Sequence, residues 1–257
     1  MAAPQPTIVA TSIGFLAEGP DPANLRPGPS YQLAAELARA GTHPRICIIG
    51  TATGDDSSRL AAFHNAFSKL GFISSHLTLF PMPNVPDVRA YLLAQDLIWV
   101  GGGSTANLLA LWRLHGLDVI LRECWEAGVV LKGVSAGSLC WHVGGTTDSF
   151  GPDLAPVTNA LGFLPYSNSP HHDHEEQRRP AIHRLIGDGT LPDGYASDDG
   201  TGLVFEGTEL TDCITQTDGA TTWRLTRRPD GSVSEVALPT RLLVSLPSAA
   251  EYVRSRG

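Results

Sequence analysis

The 257-residue sequence lacks several features that would place it in a specialised class of protein. It contains no Cys-x-x-Cys pair, so we expect reduced, buried thiols rather than a disulfide framework or a cysteine-ligated metal. No basic, apolar leader opens the chain, and no apolar run is long enough to span a bilayer. We therefore expect a cytoplasmic protein with no membrane partner. The four cysteines, all widely spaced, are Cys47, Cys124, Cys140 and Cys213.

Positive charge and phosphate-binding motifs are also scarce. The 18 Lys and Arg residues are outnumbered by 26 Asp and Glu residues, which gives a formal net charge of −8 without any basic cluster. This balance argues against nucleic acid as the main partner. The chain has neither the Lys-Ser/Thr ending of a P-loop nor a complete Gly-x-Gly-x-x-Gly motif. We expect no cofactor.

The composition, with 42% hydrophobic and 17% charged residues, is that of an ordinary globular protein. In the first half, short apolar segments alternate with helical patterns, which is typical of a parallel sheet covered by helices on both faces. This order predicts a doubly wound, mostly parallel α/β fold. The predicted strands span residues 7–13, 45–50, 75–80, 96–100 and 128–132, and the predicted helices span 31–40, 55–70 and 107–114.

Beyond residue 200 the pattern changes to short strands joined by Gly/Asp turns, at 201–205, 212–217 and 221–225. We expect these strands to be antiparallel at one edge of the sheet, where an exposed edge could support a homodimer. No repeat, low-complexity linker or break in composition divides the chain, so residues 1–257 are predicted to form a single domain.

The most informative motif is Gly-Val-Ser-Ala-Gly at residues 133–137. It lies between a predicted buried strand and a predicted helix start at 138–142, which is the setting of a nucleophile elbow. In such a turn Ser135 would attack a carbonyl carbon, and the backbone N–H of Ala136 would stabilise the oxyanion. The alternative interpretation is a glycine-rich turn with an incidental serine.

A second glycine-rich segment, Gly-Gly-Gly-Ser-Thr at residues 101–105, follows the predicted strand 96–100. Its backbone N–H groups would be exposed at the carboxyl edge of the sheet, where ligands bind in open α/β folds. One of them could be the second oxyanion donor. The alternatives are a phosphate-binding loop or a tight turn.

A serine nucleophile needs a base, and the histidines at 171, 172 and 174 lie in a predicted loop that could reach the elbow. A metal site at residues 172–174 is the alternative interpretation. We disfavour it because adjacent residues seldom converge on one ion and no second His/Cys group has metal-site spacing. We therefore expect no metal.

The carboxylate that orients the base is expected from the Ser-Asp-Asp-Gly segment at residues 197–200, although such a segment is also a common turn. No histidine follows His183, whereas an ordinary α/β-hydrolase carries its histidine last. The order serine, histidine, acid therefore fits this chain better than the order serine, acid, histidine of an ordinary α/β-hydrolase.

These segments together resemble the peptidase E (aspartyl dipeptidase) family of serine peptidases, whose core the cyanophycinases share. The resemblance covers residues 100–109, 133–137, 169–171 and 198–200, and extends from about the first strand to Glu206. It implies a fold similar to the class I glutamine amidotransferases and a Ser-His-acid triad. By position the nucleophile would be Ser135, the base His171 and the acid Asp199, with Asp198 as the fallback. The oxyanion donors would be Ala136 with Gly102 or Gly103.

The chain departs from the family pattern at three positions. Peptidase E uses glutamate as the triad acid, and its glycine-rich turn continues with asparagine where this chain has Ser104. The family's arginine that grips the substrate carboxylate corresponds to Glu175 here, so Arg178 or Arg179 is expected to replace it. Ser104, Arg178 and Arg179 are thus the predicted substrate-binding residues.

The resemblance therefore implies a serine dipeptidase that acts on short peptides and releases an N-terminal aspartate. A cyanophycinase-like or isoaspartyl-type peptidase shares the same triad and is the first alternative. A non-catalytic module that binds a small molecule on the same fold is the second. An amidotransferase is disfavoured, because Cys140 lies too far beyond the elbow.

Overall fold

The computed structural model describes residues 2–17, 24–174 and 176–244. Most of these residues belong to regular elements of an α/β protein. The strands are β1 (Thr7–Thr11), β2 (Phe15–Ala17), β3 (Leu25–Pro27), β4 (Arg45–Ile49), β5 (Ile73–Leu77), β6 (Leu97–Val100), β7 (Val130–Val134), β8 (His142–Thr147), β9 (Ala155–Val157), β10 (Leu164–Pro170), β11 (Gly194–Ser197), β12 (Thr201–Glu206), β13 (Glu209–Thr215), β14 (Thr222–Arg227), β15 (Val233–Leu238) and β16 (Arg241–Leu242). The helices are α1 (Pro29–Leu37), α2 (Ser57–Ser68), α3 (Val88–Leu93), α4 (Thr105–His115), α5 (Leu117–Glu126), α6 (Ala136–Leu139) and α7 (Arg178–Gly187), with a 3₁₀ helix at Thr51–Thr53.

The main sheet contains eight strands in the order β16-β13-β12-β1-β7-β6-β4-β5. The last five strands in this order, β1, β7, β6, β4 and β5, are parallel to one another. Strand β12, by contrast, runs antiparallel to both β1 and β13. Helices connect the successive parallel strands, as parallel pairing requires. The prediction of a mostly parallel sheet with antiparallel strands near the C-terminus is therefore correct for this sheet.

Both faces of the main sheet are buried, and strand residues alternate between them. On one face Ile46 and Ile48 of β4 pack in a cluster with residues of α1 and α2. On the other face Cys47 and Ile49 pack in a cluster with residues of α3, α4 and α5. Successive side chains of a strand thus point to opposite faces, and helices cover both faces of the sheet. This is the doubly wound arrangement.

A second sheet of six strands, in the order β15-β14-β11-β10-β8-β9, was not predicted. Its inner strands β8, β10 and β11 are parallel, and β14 belongs to it rather than to the edge of the main sheet. Strand β10 escaped prediction because its central residues are polar. Ser167, Asn168 and Ser169 are nevertheless fully buried, since their side chains form hydrogen bonds within the protein.

Several predicted boundaries also differ from the structure by a few residues, and two of these differences have a clear cause. The helix expected at 138–142 is a single turn, α6, because β8 begins at His142. The strand expected at 75–80 is β5, which ends at Leu77. The chain turns there because the N–H groups of Leu79 and Phe80 donate to the Asp55 carboxylate.

All four cysteines are buried free thiols, as their spacing predicted. Within the described ranges, no helix combines the length and apolar character needed to cross a membrane.

A lysine is fully buried in the central strand β7. The Lys132 ammonium nitrogen lies 4.5 Å from the centroid of the Tyr31 ring and 3.4 Å from Thr11 Oγ1. Burial lowers the pKa of Lys132 from 10.5 to about 7, because the charged form is poorly solvated inside the protein. The unfolded chain therefore binds this proton more tightly than the folded protein does.

We expect Lys132→Met to raise the free energy of unfolding at neutral pH by a few kcal/mol, since one pKa unit corresponds to about 1.4 kcal/mol. The folded-state pKa is depressed, so wild-type stability should rise relative to the variant as pH increases from about 7 towards 10.5. Urea unfolding of both proteins across this pH interval measures the effect. Equal pH dependence of the two proteins would contradict the assignment.

Candidate active site

Ser135 lies in a sharp turn between β7 and α6, with backbone angles φ 57° and ψ −112° that non-glycine residues rarely adopt. Its N–H donates to the Thr11 carbonyl at 3.0 Å, and its carbonyl accepts from Ser138 and Leu139. The flanking glycines are required sterically. A Cβ on Gly133 would overlap the Gly137 carbonyl, and a Cβ on Gly137 would overlap the Val100 carbonyl.

The glycine-rich segment after β6 lies directly against this turn. A Cβ built on Gly102 would lie 3.1 Å from Ser135 Cβ and 3.6 Å from Ser135 Oγ. Gly103 has φ 136° and fits closely against the Ala52 carbonyl. Within residues 2–17, 24–174 and 176–244, neither glycine N–H donates a hydrogen bond to another protein group. Ser104 caps α4 by accepting from Asn107 N–H.

His171 immediately follows β10 and contacts Asp199 in the turn between β11 and β12. The distance between His171 Nδ1 and Asp199 Oδ1 is 2.5 Å. This hydrogen bond is the main reason that the pKa of Asp199 is lowered, so the carboxyl group is ionised. An ionised carboxylate can only accept, so His171 Nδ1 carries the proton and Nε2 is left as the basic nitrogen.

Asp198 has different partners from its neighbour. Its Oδ2 accepts from the Thr221 N–H at 3.0 Å, and its Oδ1 accepts from the Trp223 indole N–H at 2.9 Å. The side chain thus joins the β11–β12 turn to β14. Among the hydrogen bonds of the described residues, Asp199 is therefore the candidate acid that contacts an imidazole, whereas Asp198 contacts Thr221 and Trp223.

Ser135 and His171 line one surface pocket of about 320 Å³. Arg178 lies in its wall, where it is buried and donates to the Thr146 carbonyl at 3.0 Å. Arg179 lies elsewhere, since its guanidinium pairs with Glu235 at 2.9 Å and lies over the Trp223 ring. Of the two arginines predicted to bind substrate, Arg178 thus lines the pocket with Ser135 and Arg179 pairs with Glu235, while Glu175 is outside the described residues. The other lining residues are Gly103, Ser104, Asn107, Asp148 and Ser149.

Three of these pocket residues were not identified from the sequence. Asn107 lies two residues after the glycine-rich segment, in the first turn of α4, and this closeness could have indicated its place. Asp148 and Ser149 follow the unpredicted strand β8, so no sequence motif pointed to them.

The consecutive histidines at 171 and 172 face different partners. His172 Nε2 lies 3.3 Å from Glu235 Oε2, and His183 Nε2 lies 2.6 Å from the same oxygen. Asp173 instead accepts from the Asp199 N–H at 2.8 Å. Residues 172–174 thus do not converge, and no group of three or more His, Cys, Asp or Glu residues suited to a metal occurs in the described part of the chain.

The chain is similar in sequence to known peptidases. The model of peptidase family S51 matches residues 31–213. The chain is 44% identical over 200 residues to an uncharacterized peptidase, YgaJ, of Bacillus subtilis, covering 78% of this chain and 85% of the relative. It is 28% identical over 159 residues to peptidase E of Shewanella denitrificans, covering 57% of this chain and 67% of that protein.

A similar fold occurs in a solved structure of a peptidase from an acI-B1 Actinobacterium. The two structures align with a TM-score of 0.63 over 91% of this chain and 94% of the other, at 18% sequence identity. This likeness concerns the fold alone.

The two adjacent aspartates should differ in their effect on stability. We expect Asp198→Ala to lower the free energy of unfolding by about 1–3 kcal/mol, because it leaves the Thr221 and Trp223 donors without acceptors. Asp199→Ala should cost about 1 kcal/mol or less, since the hydrogen bond to His171 is partly exposed to solvent, which weakens its contribution. Thermal denaturation of both variants tests the difference, and a larger loss for Asp199→Ala would contradict it.

Proposed function

The chain belongs to peptidase family S51 and is a serine peptidase, and we propose that it is a dipeptidase with a Ser135-His171-Asp199 triad. One observation carries this proposal. The imidazole that is held by the Asp199 carboxylate at 2.5 Å belongs to a residue lining the same pocket as the strained elbow serine. Nucleophile, base and orienting acid thus come from three separate segments, in the order serine, histidine, acid.

In the proposed reaction Ser135 Oγ attacks the scissile carbonyl while His171 Nε2 takes its proton. The oxyanion receives hydrogen bonds from the Ala136 N–H and from Gly102 or Gly103. His171 then protonates the leaving amine, and an acyl-Ser135 intermediate remains. Water, deprotonated by the same imidazole, hydrolyses this ester and restores the serine. Asp199 stays ionised throughout and stabilises the imidazolium.

We further propose that the substrate is a short peptide with an N-terminal aspartate. The pocket beside Ser135 is small, and Arg178 supplies a guanidinium in its wall. A guanidinium is the natural partner of a side-chain carboxylate, which it can bind through two hydrogen bonds. The name peptidase E is carried by relatives of this chain, and it supports this choice of substrate.

Ser135→Ala should lower kcat/KM on a cleaved dipeptide by at least about 10⁴-fold, because the nucleophile is lost. The fold should be retained, since alanine keeps the same Cβ in the turn and the Ser135 side chain makes no capping hydrogen bond to α6. Initial rates with purified protein, alongside circular dichroism, measure both effects. Hydrolysis close to the wild-type rate would refute the proposal.

Comparing Asp199→Ala with Asp198→Ala tests which aspartate is the triad acid, with Asp198→Ala as the matched control. Under conditions where both are folded, activity should fall strongly in Asp199→Ala and much less in Asp198→Ala, the reverse of the order expected for stability. Equal losses of activity would remove Asp199 from the triad.

Arg178→Lys should reduce the preference for Asp-X over Ala-X dipeptides by about 10–100-fold, since a charged hydrogen bond contributes about 1.5–3 kcal/mol. Arg179→Lys is the control, because that side chain pairs with Glu235 outside the pocket. The measurement is kcat/KM for Asp-X, Glu-X, Gly-X, Ala-X and isoaspartyl substrates. An unchanged preference in Arg178→Lys, or a larger loss in Arg179→Lys, would disprove this role.

A further inference from the structure

The base segment contains backbone strain that needs an external restraint. His171 has φ 58°, in the left-handed region that non-glycine residues seldom occupy. Such a conformation persists only where the surroundings impose it. The His171 N–H donates to Ser12 Oγ at 3.3 Å, so a side chain from a distant part of the chain holds this backbone.

Ser12 is fully buried directly after β1 and has two further contacts. Its hydroxyl donates to the Ser197 carbonyl at 2.7 Å, and its N–H donates to the Thr201 carbonyl at 3.0 Å. Ser197 and Thr201 bracket the turn that carries Asp199. One hydroxyl therefore contacts the backbone of both the base segment and the acid segment.

The preceding residue, Thr11, contacts the third segment. Its carbonyl accepts the Ser135 N–H at 3.0 Å, within the pairing of β1 with β7. Two consecutive residues at the end of β1 thus hold the backbones of the nucleophile, base and acid segments in one place. Strand β1 belongs to the main sheet, whereas β10 and β11 belong to the second sheet.

We propose that Ser12 is a positioning residue, whose hydroxyl fixes the His171 backbone and thereby the approach of the imidazole to Ser135. This inference rests on the proposed function of Ser135 and His171. Ser12 is absent from the pocket lining and acts through His171. Its loss therefore affects proton transfer by His171 and leaves the other pocket residues in place.

The test is Ser12→Ala in the full chain. We expect kcat on a cleaved dipeptide to fall by about 10–100-fold, because small misplacements of a catalytic group have effects of this size. KM should change by less than about threefold, since the pocket residues other than His171 are untouched. The rate at which a fluorophosphonate labels Ser135 should fall in parallel with kcat, because the same imidazole activates the serine.

Ser167→Ala is the matched control. Ser167 is also fully buried, and its hydroxyl donates to the Pro192 carbonyl at 2.8 Å, on the strand that leads to His171. This variant loses a comparable hydrogen bond without touching the base segment. It should lose stability and keep the wild-type kcat and labelling rate.

Ser12→Cys gives a second test if the alanine variant does not fold. The thiol preserves most of the volume but forms weaker hydrogen bonds, so kcat and the labelling rate should fall while the protein stays folded. The proposal is overturned if a folded Ser12 variant retains wild-type kcat and labelling, or if Ser167→Ala loses as much.

Failure of this inference is distinguishable from failure of the proposed function. If Ser135→Ala is inactive and the Ser12 variants are fully active, only the positioning role is wrong. If Ser135→Ala remains active, the proposed function itself fails, whatever the Ser12 variants show.

Discussion

The site depends on one steric constraint, the close approach of the elbow backbone to two neighbouring strands. Gly137 packs its Cα against the Val100 carbonyl of β6, and Gly133 packs against the Gly137 carbonyl. These contacts leave no room for a Cβ, so the turn forms only with glycine at both positions. Ser135 thereby lies directly after the carboxyl end of β7, where it lines the pocket, and Ala136 begins the following helical turn.

Everything else at the site is arranged around that fixed serine. The glycine-rich segment reaches Ser135 because β6 and β7 are neighbours in the main sheet, and both strands end at the same edge. The His171–Asp199 pair comes from strand ends beyond the main sheet, where β10 and β11 lie side by side in parallel. Parallel pairing brings the carboxyl ends of adjacent strands together, so a base after one strand meets an acid after the next.

Sequence patterns predicted the strands whose buried residues are apolar and missed the strands whose buried residues are polar. Strands β4 and β6 are nearly continuous apolar runs with both faces covered, so their sequences identify them as buried strands. The elbow motif could also be recognised, because the tight turn itself requires glycine at fixed positions. Strand β10 has no such signal, because Ser167 and Asn168 owe their burial to partners such as Pro192 and Ser138 elsewhere in the chain. Hydrogen bonds between distant residues leave no periodic pattern, so the second sheet could be found only from the structure.

The same reasoning explains why neighbouring candidates were hard to separate. Asp198 and Asp199 are chemically identical, and their roles differ because Trp223 and Thr221 lie on one side of the turn while His171 lies on the other. The partners that separate the two aspartates all lie more than twenty positions away in the sequence. A local motif therefore cannot show which aspartate contacts the imidazole. A motif identifies the kind of group that a reaction needs. The assignment to one residue requires the partner that fixes its orientation.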